Sequence, residues 1–184
     1  MVSAELLNQV VLAVKSVSQS VLPFYHGEAP LDINTKHDGS SVTAADCCLD
    51  LLLRQRLVQL LPDVPVLSEE GHIPTWDERQ QWDCYWCVDP LDGTRGFIEG
   101  SSEFAINIAL VVNHQPVLGV IYAPVKQLCY FAAQDIGAWV EEEGHCLPLA
   151  VSSVSTDAIR WITGHFVSSF IFYLALELTS IFLF

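Results

Sequence analysis

Hydrophobic residues recur at helical spacing in two segments of the first third of the chain. The first stripe consists of Leu6, Val10, Val14, Val17 and Val21. The second stripe consists of Leu49, Leu52, Leu53, Leu57 and Leu60. Ser3 precedes the first stripe, and Thr43 precedes the second with Asp46 three residues later, which is a capping-box pattern. The spacing therefore predicts one helix that begins after Ser3 and a second helix over residues 44–60.

Short apolar runs separated by turn residues dominate the chain from Val64 onward. They predict strands over residues 104–112, 117–122, 128–132 and 138–141. The turn residues Asn113-His114-Gln115-Pro116 separate the first two, so we expect these two strands to form a β-hairpin. Residues 27–41 are predicted as a polar loop. Helices followed by such strands predict an α+β fold, a layered α/β sandwich.

One apolar run delivers two carboxylates at its end. Tyr85-Trp86-Cys87-Val88 leads into Asp89-Pro90-Leu91-Asp92-Gly93-Thr94. Because proline cannot donate to a sheet ladder, we expect the strand to end at Pro90 and both acids to point into one bend. A short helix from Thr94 would turn the first amides toward a phosphate oxygen. A plain surface turn is the alternative, and the spacing fits neither an EF-hand nor a P-loop.

A second acidic segment lies upstream. Pro65-Val66-Leu67 is a short apolar run that ends in Ser68-Glu69-Glu70-Gly71. Two strands that end in acids suggest one shared pocket, and oxygen ligands without a His or Cys cluster favour Mg²⁺ over zinc. Solvated surface glutamates are the alternative. Asp46 caps a helix in either case, and it could also accept a hydrogen bond from Thr94 beside the pocket.

Three segments carry a resemblance to a known family. They are Ser41-Val42-Thr43-Ala44-Ala45-Asp46, Val64-Pro65-Val66-Leu67-Ser68-Glu69-Glu70 and Trp86-Cys87-Val88-Asp89-Pro90-Leu91-Asp92-Gly93-Thr94. In this order and at these intervals they resemble the inositol-monophosphatase superfamily. Residues 103–110 and 117–125 are similar to the 3′(2′),5′-bisphosphate nucleotidases of the bacterial CysQ type within it. The resemblance covers roughly residues 1–160.

The resemblance implies a Mg²⁺-dependent phosphatase with the superfamily's sandwich fold, of which this chain carries the N-terminal part. The implied metal ligands are Glu69, Asp89, Asp92 and the backbone carbonyl of Leu91. The implied substrate-binding residues are Glu69, Leu91, Asp92, Gly93 and Thr94. The implied catalytic residues, which activate the attacking water, are Asp46, Thr94 and Glu69. Two Mg²⁺ ions about 3.5–4 Å apart would clamp the phosphoryl group in an in-line displacement.

The implied reaction converts adenosine 3′,5′-bisphosphate, a by-product of sulfur assimilation, to AMP and phosphate. An inositol monophosphatase is the first alternative. A catalytically impaired fragment or a membrane-tethered binding module is an alternative of a different class. Lys36 and Arg95 are possible substrate contacts, although exposed basic side chains are commonly only solvated.

The resemblance stops near His165. Superfamily members continue with a segment of the Trp-Asp-x-Ala type that supplies a further metal carboxylate, and residues 166–184 do not match it. We therefore expect a phosphatase domain over residues 1–160 and an apolar tail over residues 161–184. A membrane anchor, a packed helix or strand, and a truncated or frame-shifted product remain open for this tail. We also expect slower turnover than in a full-length relative.

Composition limits the partners and the compartment. The net charge of −14 leaves only 8 Lys and Arg residues to neutralise phosphates, which argues against nucleic acid and anionic membranes as partners. A small phosphorylated nucleotide stays compatible because the metals would supply positive charge. Cys84 and Cys87 should face opposite sides of a strand, and Cys47 and Cys48 should face the core. With no secretory signal evident, we expect a reducing cytoplasm; the oligomeric state stays open.

Overall fold

A computed structural model of the chain describes residues 2–36 and 39–150. The helices are α1 (Ala4–Ser18), α2 (Leu22–Tyr25), α3 (Ala44–Leu60), α4 (Trp76–Arg79) and α5 (Thr94–Ile98). The strands are β1 (Asn34–Thr35), β2 (Ser41–Val42), β3 (Val66–Ser68), β4 (Cys84–Asp92), β5 (Ala105–Val112), β6 (Gln115–Ala123), β7 (Leu128–Ala133), β8 (Gly137–Glu142) and β9 (His145–Pro148). The domain boundary expected at residue 160 and the tail over 161–184 lie outside the described residues and stay predictions.

Both helices predicted from the apolar stripes are present. The Ser3 hydroxyl accepts a hydrogen bond from the Leu6 amide at 3.1 Å and so caps α1. The predicted capping box of Thr43 and Asp46 is confirmed at the start of α3. Four residues of the first stripe, from Val10 to Val21, are buried, and α3 buries Leu49, Leu53 and Leu57. The two helices pack on each other and on the sheet.

The described strands β3 to β9 form one seven-stranded sheet in sequence order. β3 pairs with β4 in parallel, and every later pair is antiparallel. The hairpin predicted between residues 104 and 122 is confirmed, with a tighter turn than expected. Asn113 and His114 both have positive φ, 49° and 61°, as the central residues of a type I′ turn do. Strand β9 was not predicted from the sequence, because its exposed side chains give no alternating apolar pattern.

The prediction that β4 ends at Pro90 is wrong. The strand continues to Asp92, and its register with β5 shifts between Asp89, opposite Asn107, and Asp92, opposite Ala105. Three steps along β4 thus match two along β5, which is the signature of a β-bulge. A bulge leaves one residue unpaired, so the missing amide hydrogen of Pro90 is tolerated inside the strand. The bulge brings both aspartates to the carboxyl end of β4.

The two faces of the sheet differ. The main core lies between the sheet and helices α1 and α3, and a smaller apolar cluster on Cys87, Ala109 and Val111 lies apart from it. Cys84 packs against the main core and Cys87 belongs to the second cluster, so their predicted opposite orientation is confirmed. Cys47 is exposed, so the expectation that it faces the core is wrong. Helices on one face of a mixed sheet give the layered α+β fold that was expected.

No helix within residues 2–36 and 39–150 combines the length and the apolar character needed to cross a bilayer.

Candidate functional site

A cavity of about 620 Å³ opens at the carboxyl ends of β3 and β4. Its wall consists of Ile33, Gly39, Ser40, Ser41, Glu69, Asp89, Leu91, Asp92, Gly93, Thr94, Arg95, Ile98 and Glu99. These residues come from the ends of β3 and β4, from both ends of the short helix α5, and from the segment over residues 33–41 that precedes α3. The acidic segments that lie apart in the sequence therefore meet in one place.

Parallel pairing of β3 with β4 explains this meeting. Ser68 lies opposite Val88 in the register, and the Glu69 amide donates to the Val88 carbonyl at 3.0 Å. The residue that follows Ser68 is Glu69, and the residue that follows Val88 is Asp89, so both next residues are acids. Carboxyl ends of neighbouring parallel strands meet at the same sheet edge, so the arrangement follows from the strand direction alone.

Asp89 is the most deeply buried acid of the cavity. The residue is 1% exposed, and within residues 2–36 and 39–150 no N–H or hydroxyl group donates to either carboxylate oxygen, beside which lies the carboxylate of Glu69. Burial raises the pKa of Asp89 well above its usual value, and the charges of Glu69 and Asp92 raise it further. Such a group is costly unless a positive charge compensates it.

Asp92 shares this crowding but has one partner. The side-chain amide of Asn107 on β5 donates to Asp92 Oδ2 at 3.2 Å. Burial raises the pKa of Asp92 to about 6; the bond from Asn107 opposes this shift, and the charge of Glu69 adds to it. Asn107 lies opposite Asp89 in the β4–β5 register, and its own carbonyl oxygen Oδ1 is buried without a partner.

Lys36 supplies positive charge to the two glutamates. Its Nζ atom lies 3.0 Å from Glu69 Oε1 and 2.6 Å from Glu70 Oε1. Burial lowers the pKa of Lys36, but hydrogen bonds to Glu70 and Glu69 outweigh burial and leave the pKa above its usual value. Burial raises the pKa of Glu70, and the Lys36 contact opposes that rise. Lys36 thus links the loop before α3 to the segment that carries Glu69 and Glu70.

A hydroxyl–carboxylate pair, of which Thr94 is partly buried and Asp46 fully buried, lies at the back of the cavity. Thr94 Oγ1 is 3.1 Å from Asp46 Oδ1 and 3.1 Å from the Leu91 carbonyl oxygen. The other Asp46 oxygen accepts from the Thr43 amide at 2.8 Å and from the Thr43 hydroxyl at 2.5 Å. Burial raises the pKa of Asp46, and the bonds from Thr43 and Thr94 oppose that rise. The predicted contact between Thr94 and Asp46 is present.

Gly93 lets the chain turn from β4 into α5. Its φ of 91° lies in the left-handed region, and an added Cβ would come within 2.8 Å of the Glu103 carbonyl oxygen. Only glycine avoids both the strain and the collision. The predicted short helix follows from Thr94 to Ile98.

The donor set fits a hard divalent cation. Across residues 2–36 and 39–150, no group of three or more His, Cys, Asp or Glu side chains is placed so that it could hold a metal ion, so these residues contain no closed set of metal ligands. Mg²⁺ needs no closed set, because it binds through one or two carboxylates and keeps water and substrate oxygens in its shell. The buried oxygens of Asp89 accept no hydrogen bond from the described residues, and the pKa of Asp92 is raised. Both observations indicate that a cation bound here would compensate the negative charge.

Most residues singled out from the sequence lie together. Glu69, Asp89, Leu91, Asp92, Gly93, Thr94 and Arg95 all line the cavity. Asp46 lies behind Thr94 and reaches the cavity through it, and Lys36 contacts Glu69 and Glu70. Their individual roles stay predictions. The sequence reasoning missed Asn107, although a polar residue within the apolar run of β5 is a signal that could have found it.

The chain matches known proteins over most of its length. The profile of the inositol monophosphatase family matches residues 3–170. A 3′(2′),5′-bisphosphate nucleotidase CysQ from Escherichia coli K12 is 46% identical over 139 residues, which cover 76% of this chain and 56% of that protein. The protein of the same name from Aggregatibacter actinomycetemcomitans is 38% identical over 164 residues, 88% of this chain and 60% of that protein.

Solved structures agree with this relationship. The crystal structure of CysQ from Bacteroides thetaiotaomicron is 30% identical with a TM-score of 0.56, and the match covers 96% of this chain and 68% of that chain. The extragenic suppressor protein suhB from Bartonella henselae is 28% identical with a TM-score of 0.65, over 74% of this chain and 51% of that chain. The chain spans only about half of the length of the curated relatives that it matches, 56% for the Escherichia coli protein. The chain belongs to the inositol monophosphatase family.

Proposed function

We propose that this chain is the N-terminal part of a Mg²⁺-dependent phosphatase that removes the 3′(2′)-phosphate of adenosine 3′,5′-bisphosphate and yields AMP and phosphate. One observation carries the proposal: Asp46 lies directly behind Thr94 in the wall of a cavity that Glu69, Asp89 and Asp92 also line. The names of the relatives support the choice of substrate.

The cavity residues divide into those that hold the cation and those that hold the phosphate. Glu69, Asp89, Asp92 and the Leu91 carbonyl would hold Mg²⁺. When bound, Mg²⁺ supplies positive charge that polarises the phosphoryl group. The backbone amides of Gly93 and Thr94 would donate to the phosphate oxygens, because this turn brings them to the cavity wall.

Proton transfer would run through Thr94. Its hydroxyl lies 3.1 Å from Asp46 Oδ1, so it can pass its proton to that carboxylate while it takes one from the attacking water. The proton of the water then resides on Thr94, and the oxygen of the water attacks phosphorus. The bond from phosphorus to the 3′-oxygen breaks, and that oxygen leaves with AMP and takes up a proton from solvent, while Asp46 later returns its proton to solvent. Thr43 holds the second Asp46 oxygen and keeps the carboxylate aimed at Thr94.

The test is phosphate release from adenosine 3′,5′-bisphosphate by the purified chain 1–184 at millimolar Mg²⁺. Asp92→Asn should abolish Mg²⁺-dependent release while the fold is kept, because the residue serves the cation and not the apolar core. Unfolding of this variant under conditions in which the wild type stays folded would contradict that assignment. A chimera that carries a relative's C-terminal half should release phosphate faster than the chain alone, because the chain spans only 56% of the Escherichia coli relative.

Inositol monophosphate separates the proposal from its first alternative. Faster release from inositol monophosphate than from the nucleotide, by the chain or by the chimera, would favour an inositol monophosphatase. If the chain neither binds Mg²⁺ nor releases phosphate from either substrate, it has the family fold without the proposed activity.

We further propose a small nucleotide as the partner and the reducing cytoplasm as the compartment. All six cysteines are free thiols, which supports a reducing environment.

A further inference from the structure

Arg54 connects helix α3 to the segment that carries Glu69 and Glu70. Its Nε atom donates to both carboxylate oxygens of Asp50, at 2.9 Å each. Its Nη1 atom donates to the Val66 carbonyl at 3.2 Å, and its Nη2 atom is buried without a hydrogen-bond partner in the described part of the chain. One guanidinium is therefore held by α3 and holds β3 in turn.

The end of the guanidinium that bears Nη2 packs against Gly71. A Cβ added at Gly71 would lie 1.6 Å from Nη2 and 2.7 Å from Cζ of Arg54. No side chain fits there unless the guanidinium moves away. Any side chain at this position must therefore displace the guanidinium, whereas the backbone conformation of Gly71 does not itself favour glycine.

Arg54 contacts both ends of a segment that we call the acidic turn. This segment consists of strand β3 (Val66–Ser68) and residues 69–71. The Gly71 amide donates to the Ser68 carbonyl at 3.2 Å, so Glu69 and Glu70 occupy the two central positions of the turn. Val66 lies on the strand before the turn, and Gly71 closes it. The guanidinium is rigid and planar, and it contacts both Val66 and Gly71. It therefore restricts the positions that Glu69 and Glu70 can take.

We propose that Arg54 is a positioning residue for Glu69: it fixes the acidic turn by binding the Val66 carbonyl and by packing on Gly71. This inference rests on the proposed function in one respect, because it takes Glu69 as a cation ligand. Asp50 orients the guanidinium from α3, the helix that also carries Asp46. Arg54 would thereby hold Glu69, the proposed cation ligand, at a fixed distance from Asp46, the proposed proton acceptor.

Arg54→Met removes the donors and keeps most of the aliphatic chain. Loss of a residue that orients a metal ligand typically costs about 10–100-fold in metal affinity, and we expect a loss in this range for Mg²⁺. Arg54→Lys should show the same loss, because a single ammonium group cannot reproduce the planar fork that contacts Asp50 and Val66 together. Arg56→Met is the matched control: the residue is exposed on the same helix and undergoes the same chemical change.

Gly71→Ala tests the contact from its other side. In the wild-type background the new Cβ must displace the guanidinium, so the variant should lose Mg²⁺ affinity to the same extent as Arg54→Met. In the Arg54→Met background it should add little, because the Met side chain ends near the place of Nε, which lies 3.5 Å from that Cβ. The two effects should therefore be strongly non-additive.

The experiment measures three quantities on purified chain 1–184. They are Mg²⁺ affinity by calorimetry, the midpoint of thermal unfolding, and hydrogen exchange of the Glu69 and Gly71 amides in EDTA. We expect about tenfold or greater acceleration of exchange at both amides in Arg54→Met and in Gly71→Ala, with no further acceleration in the double variant. The Arg56→Met control should match the wild type in all three.

A lowered unfolding midpoint with unchanged Mg²⁺ affinity and unchanged exchange would overturn the inference, since Arg54 would then only stabilise the fold. Full rescue by Arg54→Lys, or additive effects of Gly71→Ala and Arg54→Met, would overturn it too. If the wild type does not bind Mg²⁺, the proposed function fails, and exchange alone decides: acceleration in both single variants supports the positioning of the turn, and unaltered exchange refutes it.

Discussion

Replacement of Asp89 by asparagine should make the metal-free protein more stable and the Mg²⁺-loaded protein less so. Both Asp89 oxygens are buried without a donor beside two further acids. An uncompensated buried polar group costs about 1–3 kcal/mol, and more when it is charged. A neutral amide of the same shape removes that charge and can donate to Glu69. We therefore expect the free energy of unfolding of Asp89→Asn in EDTA to rise by about 1–3 kcal/mol.

Mg²⁺ should reverse the order. A ligand that binds only the folded state at 100 times its dissociation constant adds about 2.7 kcal/mol, which the wild type should gain and Asp89→Asn should not. Urea unfolding, with and without saturating Mg²⁺, measures all four values. Asp83→Asn is the control, since Asp83 is exposed just before β4. Equal Mg²⁺ stabilisation of Asp89→Asn and wild type, or a loss of stability of the variant in EDTA, would refute the reasoning.

Three further predictions test other parts of the site and core. Asp46→Ala should cost about 1–3 kcal/mol of stability in urea unfolding, because buried donors lose their acceptor, and it should lower any phosphate release by about 10²–10⁴-fold; an unchanged rate would exclude Asp46 from proton transfer. Gly93→Ala should cost about 1–3 kcal/mol through left-handed strain, read from the same unfolding curves, and a neutral effect would contradict the geometry. Burial raises the pKa of Cys129 to about 12, so in thiol labelling with a disulfide reagent it should react only on unfolding, whereas exposed Cys146 reacts at once; equal rates would show that the core opens.

The helices and most strands could be predicted because their apolar spacing and caps act locally. The stripe of α3 and its capping box need no knowledge of the rest of the chain, and the structure has α3 where the spacing predicts it. The end of β4 could not be read in this way. Pro90 is a strong local signal for the end of a strand. Pairing with β5 nevertheless accommodates it in a bulge, and no residue of β4 by itself predicts that bulge.

The candidate site divides in the same manner. The acids of the motifs are visible in the sequence, and their meeting follows once β3 and β4 are known to be parallel. Asn107 and Arg54 act through contacts with residues far away in the chain, 15 positions for Asn107 to Asp92 and 12 for Arg54 to Val66. Such contacts depend on register and on side-chain reach, which spacing alone does not determine.

The one parallel pair among the described strands has a consequence for how the chain folds. From β5 to β9 each strand pairs with the next one along the chain through a short turn, so these pairings close small loops and cost little chain entropy. β4 must instead pair with β5 across residues 93–104, and β3 must pair with β4 across residues 69–83. Non-local pairings of this kind form late. Glu69 would then reach Asp89 only after the rate-limiting barrier, so Mg²⁺ should slow the unfolding of the chain and leave its folding rate unchanged.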